Sequence, residues 1–331
     1  MSVLGVLGGG AWGTALAQVL ASGGHDVRLW VREPEVIEAI NGTHENPLFL
    51  PGRTLSERIE ATGDITWAAE AAAVLVVTPA QHMRAVLADL PRHGQPLILC
   101  SKGIEAGSLK FLHEVAGEVV DGSPVAVLSG PTFAHEVAAG LPTAVTLAAE
   151  DAALAHQLAA TIGRDVGAQP TLRPYVSTDV VGAEVGGAVK NVLAIACGVV
   201  EGAGLGQNAR AAVIARGFAE MTRFGLARGA RAETLSGLSG LGDLVLTCSS
   251  TSSRNFSLGV GLGQGRAAED LLADRRTVAE GAHTAPVLAQ AAAAAGVDMP
   301  VTEAVCQLLD GADVGRVVEA LLTRPLREEG F

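Results

Sequence analysis

The chain has 331 residues, 49% of them hydrophobic and 18% charged, which excludes wholesale disorder and is long enough for two domains. Its 35 acidic residues outnumber 23 basic ones, a formal net charge of −12. With no clustered basic run, a nucleic-acid surface is excluded, and an anionic substrate can bind only where a few cations converge.

Residues 2–7 read as a buried parallel strand that runs straight into Gly8-Gly9-Gly10-Ala11-Trp12-Gly13, leaving no room for a signal peptide. A helical run, Thr14 to Ser22, and a second strand, His25–Val31, complete a βαβ unit. In that setting Gly8 makes the tight turn, Gly10 lets backbone approach a pyrophosphate, and Gly13 lets helix and strand pack closely. Helix-start amides around Ala11 and Trp12 then face the phosphates, so a nicotinamide dinucleotide is the predicted cofactor. The second strand ends Trp30-Val31-Arg32-Glu33. Arg32 suits the 2′-phosphate of NADP(H), whereas Glu33 suits the ribose hydroxyls of NAD(H); NADP(H) is favoured and NAD(H) is kept open.

Short apolar runs follow at Ala73–Val77, Leu97–Cys100, Val125–Leu128 and Ala144–Leu147, each bounded by turn residues. Alternation with helical segments predicts an α/β fold, a doubly wound (Rossmann) sheet with helices on both faces. From about residue 180 the strand-like runs stop and helical periodicity continues, so a Rossmann domain over 1–188 and an all-helical substrate domain over 189–331 are expected. The most apolar stretch, 180–206, carries Glu184, Lys190, Asn191 and Glu201, which suits a buried helix better than a membrane span. Cys100, Cys197, Cys248 and Cys306 lie far apart; no metal site or disulfide is expected, and reduced thiols fit a cytoplasmic protein.

Five segments carry chemistry that aliphatic surroundings do not explain. Ser101-Lys102-Gly103 places a cation after a strand, where doubly wound sheets bind ligands. Ser129-Gly130-Pro131-Thr132-Phe133-Ala134 follows another strand with small residues that let a ligand approach. Lys190, enclosed in the helix Val185–Gly198, must reach solvent, pair with a carboxylate or titrate abnormally. Asp243 is a lone acid in an apolar run, and Ser253-Arg254-Asn255 joins a hydroxyl, a guanidinium and an amide, a set for phosphate or equally a helix cap.

Together these segments resemble the bacterial-type NAD(P)-dependent glycerol-3-phosphate dehydrogenases. The resemblance runs through Gly-Gly-Gly-Ala-Trp-Gly-Thr-Ala-Leu-Ala (8–17), Ser-Lys-Gly-Ile-Glu (101–105) and Ser-Gly-Pro-Thr-Phe-Ala (129–134). It continues with Lys-Asn-Val-Leu-Ala-Ile (190–195), Gly-Leu-Gly-Asp-Leu-Val-Leu-Thr-Cys (240–248), Thr-Ser-Ser-Arg-Asn-Phe (251–256) and Val-Ala-Glu-Gly (278–281). Thr132 stands where serine is frequent and Ala279 where glutamate is frequent. The resemblance implies Lys190 as general acid/base and Lys102 as a contact to substrate and cofactor. It places Gly130, Thr132, Asp243, Ser253, Arg254 and Asn255 at the substrate, and Trp12, Arg32, Ala134, Arg254, Val278 and Glu280 at the cofactor. The implied reaction is reversible reduction of dihydroxyacetone phosphate to sn-glycerol 3-phosphate, a glycerophospholipid precursor, by a homodimer. Asp243 would raise the Lys190 pKa, burial and Lys102 would lower it, and the sequence leaves their order open. Two other readings stand beside this one: a silent NAD(P)H sensor, and a two-domain dehydrogenase for a hydroxy acid.

Overall fold

The computed structural model describes residues 2–91, 94–166, 169–273 and 279–324. The chain folds as two compact units, Met1–Ser101 with Phe111–Val180, and Lys102–Lys110 with Val181–Phe331. The division falls at Val180 rather than near 188, because one unbroken helix, Val180–Gly202, opens the second unit. The excursion of Lys102–Lys110 into the second unit leaves no mark on the sequence pattern.

Among the described residues the first unit has eleven strands: β1 (Val3–Leu7), β2 (Asp26–Trp30), β3 (Glu45–Asn46), β4 (Leu50–Thr54), β5 (Ile59–Thr62), β6 (Val74–Val76), β7 (Leu97–Leu99), β8 (Val125–Ser129), β9 (Thr143–Ala148), β10 (Arg164–Val166) and β11 (Gln169–Ser177). Its helices are α1 (Ala11–Ser22), α2 (Pro34–Thr43), α3 (Ile65–Ala69), α4 (Met83–Ala88), α5 (Leu112–Val119), α6 (Ala134–Ala138) and α7 (Ala152–Ile162). Nine strands form one sheet in the order β10-β11-β9-β8-β7-β6-β1-β2-β5, while β3 and β4 pair separately. From β5 to β8 every pairing is parallel. β9 then runs antiparallel to β8, so the sheet is mixed beyond its doubly wound part.

All six anticipated strands are present. β4, β5 and β11 escape a hydrophobic reading because they carry Pro51 and Gly52, Glu60, and Pro170 and Pro174 within them. From β1 the chain passes to β2 on one side and later to β6 on the other. The order therefore reverses between β1 and β6, the place where such sheets bind ligands, and the glycine turn leaves β1 there.

The second unit is helical among the described residues: α8 (Val180–Gly202), α9 (Gly206–Ala227), α10 (Ala232–Leu235), α11 (Asp243–Thr247), α12 (Arg254–Gly263), α13 (Ala268–Leu272), α14 (Glu280–Ala294), α15 (Pro300–Leu309) and α16 (Val314–Leu322). α8 is long and apolar enough to cross a membrane, yet 89% of its most apolar window is buried inside the protein. Small residues make that burial possible. A Cβ on Gly198 would lie 2.1 Å from Phe256 O, and one on Gly259 2.1 Å from Ile195 O. α8 and α12 thus pack backbone against backbone, which the abundance of glycine and alanine foreshadows.

Candidate active site

The glycine turn is a backbone device. Gly8 adopts φ 128°, a region that disfavours side chains. A Cβ on Gly13 would sit 1.8 Å from Gly8 O, so helix and strand close only on glycine. Gly10 is different: nothing lies within 4 Å of where its Cβ would be. As N-cap of α1 it offers no side-chain cap, and the first turn holds no acid. The open space and the uncapped amides of Ala11, Trp12 and Gly13 fit a pyrophosphate. The buried Trp12 indole Nε1 has no hydrogen-bond partner among the described residues.

Two buried side chains brace this turn from behind. Asn46 donates Nδ2 to Gly9 O at 2.9 Å and to Thr14 Oγ1 at 2.8 Å, and Thr14 donates to Gly9 O at 3.2 Å. Sequence reasoning missed Asn46, because it lies far along the chain from the turn with no local pattern around it. Arg32 is exposed just beyond β2, with Glu33 half-buried beside it as the α2 N-cap. In the same unit Gly130 adopts φ 153°, and its Cβ would meet Val145 Cα at 2.9 Å. Thr132 donates to Gly130 O at 3.2 Å, and Ala134 opens α6.

The second unit assembles a charge cluster around one carboxylate. Asp243 is fully buried and Lys190 is 6% exposed. Lys190 donates Nζ to Asp243 Oδ1 at 2.5 Å and to Thr247 Oγ1 at 3.1 Å, while Lys102 donates to Oδ2 at 2.7 Å. The Thr247 hydroxyl donates to Asp243 O at 2.6 Å, which turns a lone pair toward Lys190. Thr247 carried no assigned role in the sequence, although its position four residues after Asp243 puts both on one helical face. A π-helical turn, Leu238–Gly242, delivers Asp243. Gly186, one turn before Lys190, admits it: a Cβ there would lie 2.1 Å from Ser239 O.

The two lysines part in their proton affinity. Burial, the largest influence, drives Lys190 down to about 8; Asp243 opposes it and Lys102 adds to it. Burial also pushes Lys102 down, but the Asp243 charge and hydrogen bond outweigh it and hold this lysine above its ordinary value. Lys102 stays a cation, and Lys190 is able to trade a proton near neutrality.

Around α12 the helix-cap reading is realised. Ser253 is its N-cap and accepts from Phe256 N at 3.2 Å. Arg254 is exposed, while the buried Asn255 accepts at Oδ1 from Gly281 N, 2.9 Å away. Burial raises the pKa of Glu280, at the start of α14, against the opposing pull of Arg254, Lys102, Lys190 and His283. Glu280 therefore shares the field of the lysine cluster. Val278 lies outside the described residues.

Comparison with known proteins agrees along the chain. Residues 3–155 match the family described as NAD-dependent glycerol-3-phosphate dehydrogenase N-terminus, and residues 179–319 match its C-terminus. The chain is 63% identical over 327 residues to glycerol-3-phosphate dehydrogenase (NAD(P)+) 1 of Sphingopyxis alaskensis, covering 98% of each chain. It is also 63% identical over 324 residues to the Erythrobacter litoralis enzyme of that activity, covering 98% of this chain and 97% of the other. The crystal structure of glycerol-3-phosphate dehydrogenase from Coxiella burnetii superposes with a TM-score of 0.92 at 36% identity, covering 98% of this chain and 99% of that one. With a dinucleotide turn in one unit, a buried lysine–aspartate cluster in the other and these relatives throughout, the chain belongs to the bacterial-type NAD(P)-dependent glycerol-3-phosphate dehydrogenase family.

Proposed function

We propose that the chain reduces dihydroxyacetone phosphate to sn-glycerol 3-phosphate, reversibly, with NADP(H) favoured over NAD(H). The observation that carries this reading is the Lys190–Asp243–Lys102 cluster, with Lys190 depressed to about 8. The nicotinamide supplies the hydride when bound. Protonated Lys190 then donates to the substrate C2 oxygen as negative charge develops there, and neutral Lys190 takes the proton back in oxidation. Asp243 and Thr247 hold Nζ in place, and Lys102 adds a fixed positive charge for substrate and cofactor.

Arg254, the Asn255 amide and the Ser253 hydroxyl hydrogen form the phosphate grip, remote binding energy that positions C2. Gly130 and Thr132, in the first unit, are assigned to the substrate on the family resemblance. Gly8, Gly10, Ala11, Trp12 and Gly13 take the pyrophosphate side of the cofactor, with Ala134, Arg254 and Glu280 as further contacts. Arg32 receives the 2′-phosphate. A silent sensor needs the turn but no proton donor, and a hydroxy-acid enzyme needs no phosphate grip. We further propose a cytoplasmic homodimer, on the family resemblance; a monomer mass by light scattering would contradict the assembly.

The direct test is the rate of NADPH oxidation with dihydroxyacetone phosphate, repeated with unphosphorylated dihydroxyacetone and with NADH. Strong preference for the phosphorylated ketone and for NADPH is expected. Tight NADPH binding without turnover would favour the sensor.

A further inference from the structure

Three helices of the second unit meet at Gly281, and each carries a proposed site residue beside the meeting point. α8 brings Asn191, next to Lys190; α12 brings Asn255, next to Arg254; α14 brings Gly281, next to Glu280. A Cβ on Gly281 would lie 2.5 Å from Asn191 O and 2.8 Å from Asn255 Oδ1. A larger residue fits only if one of the helices moves.

Gly281 N is one of the amides that a helix start leaves without an intrahelical partner. The α14 N-cap, Ala279, has no side-chain acceptor to offer. Asn255 supplies one from α12, with Oδ1 at 2.9 Å. This bond decides how the amide is presented, because a carboxamide has one acceptor end and one NH2 end. With Oδ1 committed to Gly281, both Nδ2 hydrogens remain for an anion. Flipping the amide would set N–H against N–H in a buried place, leaving both donors without an acceptor.

We propose that Gly281 is a positioning residue for phosphate recognition, an inference that rests on the assignment of Arg254 and Asn255 to the substrate phosphate. Its N–H holds the Asn255 amide with Nδ2 toward the phosphate. Its missing Cβ lets α8, α12 and α14 close so that Lys190 and Arg254 serve one substrate, with Glu280 left to the cofactor.

Steady-state kinetics on Gly281→Ala and Asn255→Asp test this, after wild-type protein has been assayed for NADPH oxidation with dihydroxyacetone phosphate. Absence of that activity would overturn the functional reading itself. In Gly281→Ala the kcat/KM for dihydroxyacetone phosphate should fall further than that for dihydroxyacetone, narrowing the ratio about tenfold. Equal losses on both ketones would mean a purely structural glycine and overturn the proposal. Asn255→Asp keeps the acceptor for Gly281 but loses the NH2 donors and adds a repelling charge. Its KM for dihydroxyacetone phosphate should rise about 100-fold, with NADPH affinity and melting temperature near wild type. A wild-type KM in that variant would overturn the proposal even if Gly281→Ala fails to fold.

Discussion

The glycine turn of the first unit and the lysine cluster of the second solve different problems with different materials. The turn is contiguous, built from backbone, and shaped by what is missing: at Gly13 a single methyl would overlap Gly8 O. The cluster draws Lys102, Lys190 and the Asp243–Thr247 helical turn from distant parts of the chain, and its chemistry depends on side-chain groups held about 3 Å apart. Binding an anion at a helix start needs only local geometry. Setting a lysine's proton affinity needs burial and two neighbours of opposite sign.

If the two regions divide the labour in this way, substitutions should separate binding from chemistry. Lys190→Ala should lower kcat by about 10³–10⁴-fold while NADPH affinity, read by nucleotide fluorescence, stays near wild type. A parallel loss of NADPH binding would break the division. Gly13→Ala should do the reverse and weaken NADPH about 10- to 100-fold, because the added methyl overpacks the turn. Arg32→Ala sharpens the cofactor side: NADPH should weaken about tenfold and NADH hardly at all, and equal losses would remove the 2′-phosphate role.

The smallest effect comes from a control outside both regions. Glu220, buried on α9, accepts from Val301 N at 2.7 Å and Thr302 N at 3.3 Å at the start of α15. Burial lifts its pKa from 4.5 to about 7, against those two amides and Arg223, with Asp298 adding to the rise. A carboxyl raised in the folded state contributes stability below its unfolded value and loses it as pH rises toward 7. The melting temperature should therefore fall by a few °C between about pH 5 and 8. Glu220→Gln should flatten that slope, with kcat for dihydroxyacetone phosphate unaltered. An unchanged slope would clear Glu220 of the effect.

The contrast also accounts for what the sequence could say. The turn was legible because its demands are local: Gly8 takes a positive φ, a Cβ on Gly13 would strike Gly8 O, and Gly10 leaves open space where a ligand can approach. Its brace, Asn46, was not, because a side chain reaching Gly9 O from a separate strand leaves no periodic trace. In the helical half the sequence singled out Lys190 and Asp243 as charges out of place, and they meet. It could not rank burial and Lys102 against Asp243, since each depends on distances that only the packed helices set. Ser253 and Asn255 show the ambiguity of short polar residues: their capping bonds and a phosphate grip draw on the same atoms.

The central claim is that Lys190 carries the proton because burial and Lys102 outweigh Asp243. The pH dependence of kcat/KM for dihydroxyacetone phosphate reduction tests it most directly. The rate should fall as pH rises through about 8, where Lys190 loses its proton. A rate that holds level to about pH 10, as an ordinary lysine would allow, would contradict it.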